Sequence, residues 1–139
     1  MKKNKLQVAI DFNFNLMGIV SQSAEYKLAW SINQLLHINL IKASEATLEF
    51  IKNENLIISF YYFETENSLI RLIKNKSYEG SAMYLLPEIK QIDYFLQIFN
   101  YGGAFDTNNI FSTLAKNSEI QFITNIEVDK LKSKENLIF

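Results

Sequence analysis

Between residues 47 and 74 the chain carries three apolar, strand-like runs, residues 47–52, 56–63 and 69–74, with the short polar links Asn53-Glu54-Asn55 and Glu64-Thr65-Glu66-Asn67 between them. Links this short close hairpins but cannot supply the crossover of a dozen or more residues that parallel strands need. The runs therefore predict an antiparallel meander. Both faces of 56–63 are apolar, with Leu56, Ile58, Phe60 and Tyr62 against Ile57, Tyr61 and Phe63. That pattern predicts a central position, because an exposed edge of this character invites aggregation. Residues 69–74 carry Arg71 and Lys74 and read as the more edge-like strand.

The rest of the chain supplies helices and two further strands. Leu6, Val8, Ile10, Phe12 and Phe14 alternate with mostly polar neighbours, which predicts a strand over residues 6–14 with one buried face. Residues 23–37 read as a helix with Ser21 or Ser23 as the N-cap. Leu28, Ala29, Ile32, Leu35 and Leu36 fill one arc of it, and Tyr26, Trp30, Asn33 and His37 run beside them at helical spacing. A second helix is expected from Pro87 to just before Gly102-Gly103, with Ile89, Ile92, Phe95, Leu96 and Phe99 on one core-facing arc. A shorter helix over residues 107–116, capped by Asp106 or Thr107, turns Ile110, Phe111 and Leu114 inward. Residues 119–128 read as a last strand in which Ile120, Phe122 and Ile126 alternate, and the charged tail 129–136 reads equally as a short helix or a frayed end. The fold class these elements predict is α+β: a single domain over residues 1–139, built as a two-layer sandwich. Its sheet is largely antiparallel around the three-stranded meander, with two or three helices on one face.

Composition removes several chemistries. Cysteine is absent and His37 is the lone histidine, so disulfide scaffolds, thiolate nucleophiles and Cys/His zinc sites are excluded. No metal and no cofactor is expected. With 14 Lys+Arg against 15 Asp+Glu, and Arg71 the one arginine, the chain lacks the basic excess of a nucleic-acid binder. The longest apolar run, 56–63, is far shorter than the roughly 20 residues a bilayer span needs, so no membrane association is expected. Residues 1–5 are basic as in a signal peptide, but Asp11, Asn13 and Asn15 interrupt the apolar stretch that would follow. The expected location is cytoplasmic.

Residues 86–94, Leu86-Pro87-Glu88-Ile89-Lys90-Gln91-Ile92-Asp93-Tyr94, resemble the signature of the IPExxxVDY family of small bacterial proteins. Leu86 stands in place of the Ile and Ile92 in place of the Val, while Pro87, Glu88, Asp93 and Tyr94 match. Residues 14–19 and 26–33 also look like that family's N-terminal half, so the similarity extends over essentially the whole chain. The resemblance implies no mechanism.

On a single helix Glu88 and Asp93 point about 140° apart and cannot act as an acid/base pair, so the reading of Pro87, Glu88, Asp93 and Tyr94 is structural and no catalytic residue is assigned. His37, at a helix end, reads as a partner of the helix dipole. The stripe of Tyr26, Trp30, Asn33 and His37 either packs beneath another element or forms a contact surface, since Trp and Tyr are typical interface anchors. Two function classes follow. One is a non-enzymatic module that binds itself, as a homo-oligomer, or another cytoplasmic protein through this helix. The other is a small-molecule binder or weak enzyme using Glu88, Asp93 and Tyr94 with Asp11 or Lys27.

Overall fold

Strands apolar on both faces need cover on both sides, and this requirement organises the molecule. The computed structural model describes residues 12–43, 46–49, 55–77, 83–103 and 105–139. Its elements run β1 (Asn15–Val20), α1 (Glu25–Leu36), β2 (Ile41–Lys42), β3 (Ala46–Glu49), β4 (Asn55–Ile58), β5 (Phe60–Thr65), β6 (Ser68–Lys74), a 3-10 turn at Pro87–Ile89, β7 (Tyr94–Asn100), α2 (Thr107–Ala115) and β8 (Phe122–Asn125), with further 3-10 turns at Val128–Lys130 and Lys134–Leu137. A six-stranded sheet in the order β2-β5-β6-β7-β1-β8 is antiparallel at every pairing, and β3 with β4 forms a separate two-stranded hairpin. The expected α+β sandwich is the architecture found.

One face of the sheet, through Met17, Ile19, Ile70, Leu72, Leu96 and Ile98, is covered by Leu28, Ala29 and Ile32 of α1 and by Ile110 and Leu114 of α2. Burying side chains of this size stabilises the fold by roughly 1.5–3 kcal/mol each. The opposite face, through Leu16, Ile73 and Phe95, is covered by irregular chain instead: Leu85, Leu86 and Ile92 before β7, and Val128 and Leu137 after β8. The tail left open in the sequence is thus a pair of 3-10 turns that closes the second layer. Among the described residues no helix is long and apolar enough to cross a membrane.

Several expected elements are corrected. The helix expected from Pro87 exists only as the one-turn Pro87–Ile89, and the residues after it form β7. Tyr94–Asn100 is buried on both faces along almost its whole length, so it has no polar period to separate strand from helix. Pairing with β6 and β1 decides for strand. The Gly102-Gly103 stop signal ends this strand: Gly102 N–H donates to the Asn67 carbonyl and Gly103 takes φ 67°.

The run 56–63 breaks at Ser59 into β4 and β5, which belong to different sheets. The meander of the main sheet is consequently β5-β6-β7, and β6, expected near an edge, is interior. Its Arg71 is buried because carbonyls and rings receive the guanidinium. Nε donates to Gln97 Oε1 at 2.9 Å, Nη1 to the Phe139 carbonyl at 2.8 Å and Nη2 to the Leu137 carbonyl at 3.3 Å. The Phe139 ring centroid lies 4.1 Å from the guanidinium carbon. Burial pulls Arg71 down to about 10, which still leaves it charged at neutral pH. This contact latches the C-terminal turns onto the sheet.

The first strand is β1, beginning at Asn15; residues 12–14 are not strand, and residues 6–11 of the expected strand lie outside the described residues. In β8 the inward residue is Ile123 while Phe122 is exposed, one position out of step with the expected alternation. The helices match better. In α2, Asp106 Oδ1 accepts from Asn108 and Asn109 N–H at 3.1 and 3.3 Å, the expected cap. In α1 the N-cap position is Ala24 and not Ser21 or Ser23, whose hydroxyls bond to the carbonyl and the carboxylate of Glu119 respectively.

Candidate functional site

The stripe on α1 divides into two structural and two unoccupied residues. Asn33 accepts from Leu40 N–H at 2.7 Å and donates to the Leu40 carbonyl at 3.2 Å, pinning the chain that leaves the helix. His37 occupies the C-cap with φ 55°, a left-handed conformation that stops the helix. Tyr26 and Trp30, one turn apart, are 69% and 63% exposed. The reading in which the whole stripe packs beneath another element is therefore overturned. The two rings project from the side of α1 turned away from Leu28, Ala29 and Ile32, and Lys27 nearby is paired with Glu119 at 3.7 Å.

The 86–94 segment uses its polar groups differently. Pro87 opens the 3-10 turn, and Glu88 Oε2 accepts from Ser133 N–H at 2.8 Å. Partial burial pushes the Glu88 carboxyl up, but hydrogen bonds from Ser133, from its own backbone and from Lys132 together hold it below the usual carboxylate range. Asp93 Oδ2 accepts from Ser21 N–H at 3.0 Å, and the Tyr94 hydroxyl donates to the Ser23 carbonyl at 2.7 Å. Burial, with Glu25 and Asp93 adding to it, pushes that phenol up to about 12. The two acids thus face different partners, Ser133 and Ser21. The helical angle expected between them has no counterpart, because Pro87–Ile89 is a single 3-10 turn and Tyr94 begins a strand.

Two residues outside the expected site set, Asn75 and Gly18, fix this segment. Asn75, 1% exposed, accepts from Leu86 N–H at 2.9 Å and donates to the Ile89 and Ile92 carbonyls at 3.2 and 2.9 Å. Gly18 lets Ile92 and Ile126 close over β1; a Cβ there would stand 2.8 Å from Ile126 Cδ1 and 3.2 Å from Ile92 Cδ1. No local pattern marks Asn75, whose partners are eleven to seventeen positions away.

A third cluster joins Glu25, Lys42 and Ser59. The Ser59 hydroxyl donates to Glu25 Oε1 at 2.6 Å, Lys42 Nζ donates to the same oxygen at 3.0 Å, and Lys42 also donates to Ser59. A serine beside a lysine suggests a nucleophile and its base. Here the hydroxyl proton points at a carboxylate, the ammonium is ion-paired and Ser59 is 3% exposed, so the arrangement ties the start of α1 to the edge of the sheet. Glu25 Oε2 is buried with no hydrogen-bond partner among the described residues. No group of three or more His, Asp or Glu able to hold a metal occurs among the described residues.

Two concavities adjoin the 86–94 segment. A mainly apolar groove of about 400 Å³ lies between Val20, Ile92, Phe122, Ile126 and Leu131. A polar basin of about 330 Å³ is lined by Ser21, Ser23, Lys74, Lys76, Lys90 and Asp93, with Tyr94 at its wall. Glu88 lines neither. No family model matches the chain, and no curated protein matches it.

Proposed function

We propose that this chain is a non-enzymatic cytoplasmic module that associates with a second copy of itself through the outer face of α1. The observation that carries the reading is the exposure of Tyr26 and Trp30 at 69% and 63%, one turn apart on a rigid helix whose inner face is fully committed to the core. Covering the exposed parts of two such rings removes on the order of 250 Å² from water, roughly 6 kcal/mol of gross stabilisation before the entropy of association is subtracted. Trp and Tyr lose little side-chain entropy when fixed and recur as interface anchors. A second copy is the favoured occupant because a net charge of −1 sets up little mutual repulsion, and two-fold pairing is the commonest closed assembly.

The proposal extends to the IPExxxVDY family. Supporting it, Ile92 lies against Gly18, so residues 86–94 and 14–19, two of the three stretches that carry the resemblance, meet in space. The proposed module uses the motif as a brace and α1 as its contact.

Trp30 is the one tryptophan, so its emission reports directly on this face. Raising the protein concentration through the micromolar range is expected to shift the emission to shorter wavelength as the indole leaves water, and dilution to reverse it. A constant, water-exposed emission at every concentration would remove the self-association reading.

A further inference from the structure

We propose that the polar basin beside the start of α1 is a binding site for a small phosphomonoester. Lys74 from the end of β6, Lys76 beyond it and Lys90 after the 3-10 turn line it from separate segments, against one lining carboxylate among the described residues, Asp93. Asp93 already accepts the Ser21 N–H, and among the described residues the ion pairs are Lys27–Glu119, Lys42–Glu25 and Lys130–Glu127, none of which engages the three lysines. Among the described residues, Glu25 and Glu119 at this end of α1 are held by Lys42 and Lys27. Among the described residues the basin is therefore lined by three cations against one anion, a formal excess of two. Gathering like charges in one hollow is unfavourable until an anion enters, and a phosphate monoester is close to a dianion at neutral pH.

The backbone adds to the lysines. Ala24 lines the basin at the N-cap of the twelve-residue α1, and among the described residues no side chain caps that end. First-turn N–H groups without a side-chain acceptor suit a phosphate oxygen, and lysines bind phosphate as point charges. A volume of about 330 Å³ falls at the small end of ligand cavities and admits a compact ester such as a sugar phosphate. Lys90 Nζ sits 5.7 Å from the Tyr84 ring centroid, which keeps this ammonium at the basin wall.

The test is a ¹H–¹⁵N NMR titration of the 139-residue chain with ribose 5-phosphate and, separately, with inorganic phosphate in chloride buffer. Saturable shifts confined to residues 21–24, 74–76 and 90–93 are expected. Lys74→Gln and Lys90→Gln are each expected to weaken binding by about tenfold, the loss of one charge-assisted contact. Both lysines are exposed, so both variants are expected to melt as the wild type does. Tighter binding of ribose 5-phosphate than of phosphate would show that the ester's organic part is contacted; equal binding would show that the phosphate group alone is recognised. Shifts that never saturate, shifts scattered over Lys130 and Lys134, or unchanged affinity in the two variants would overturn the proposal. Trp30→Ala is expected to leave the titration unchanged, which separates this site from the α1 contact.

Discussion

In the 86–94 segment, Glu88, Asp93 and Tyr94 each satisfy a backbone group of a distant loop, at Ser133, Ser21 and Ser23. On the outer face of α1, Tyr26 and Trp30 leave most of their surface in water. Both regions stand out in the sequence, yet only the second retains most of its distinctive side chains for an encounter with another molecule. A motif of acids and a tyrosine looks like chemistry until its hydrogen bonds are traced; here Glu88 ties down the turns over the sheet face that lacks helices, while Asp93 and Tyr94 hold the loop that leads into α1. An aromatic pair on a helix looks like core until its exposure is known.

The contrast is open to attack by mutation. The largest expected effect is at Asn75, where Asn75→Ala takes the side-chain partner from the buried Leu86 N–H and Ile92 carbonyl, while the Ile89 carbonyl keeps the Ile92 N–H. A loss of roughly 2–4 kcal/mol in urea unfolding is expected. A loss below about 1 kcal/mol, within reach of one ordinary hydrogen bond, would mean that the segment is held by other contacts. Next comes Gly18→Ala, which forces Ile126 and Ile92 off β1. Because the obstructing atoms are the ends of flexible side chains, the expected cost is about 1–2 kcal/mol, read from the same unfolding curves.

Glu88→Gln follows, at about 0.5 kcal/mol near neutral pH, since the carboxylate is exposed and water screens it. Its folded carboxyl lies below the ordinary value, so its contribution is complete above the unfolded value near 4.3 and is lost as pH falls through the folded one. The stability gap between wild type and Glu88→Gln is thus expected to close under acid, in a pH series of thermal melts. A gap that widened under acid would contradict the sign of this effect. The smallest expected effect on the monomer is at Trp30, where Trp30→Ala in dilute solution should change stability by no more than roughly 0.5 kcal/mol.

Legibility in the sequence followed periodicity. α1 and α2 each bury one stripe and expose the rest, and both were readable within a residue or two, including the Asp106 cap. β7 was not, because a strand buried on both faces has the same apolar density as a buried helix, and the flanking Pro87 and Gly102 were genuine signals for a one-turn 3-10 segment and a post-strand turn. Arg71 made β6 look peripheral because a charge ordinarily seeks water; the carbonyls of Leu137 and Phe139 that admit it lie more than sixty positions away. Ser59, a small polar residue inside an apolar run, is where the chain changes sheets. As for the candidate site, Tyr26 and Trp30 were visible as a pair from spacing alone, but whether they faced core or water depended on what covered α1. The Lys74, Lys76 and Lys90 basin had no sequence signal, since it is assembled by strand pairing that brings separate segments to one corner.

Sedimentation velocity on wild type and Trp30→Ala, at matched concentrations through the micromolar range, tests the contact surface most directly. Wild type is expected to sediment as a species of twice the 16.2 kDa chain mass and Trp30→Ala as the single chain. Wild type running as a single chain throughout, or a Trp30→Ala variant that dimerises as well as wild type, would contradict the assignment of α1 as the meeting surface.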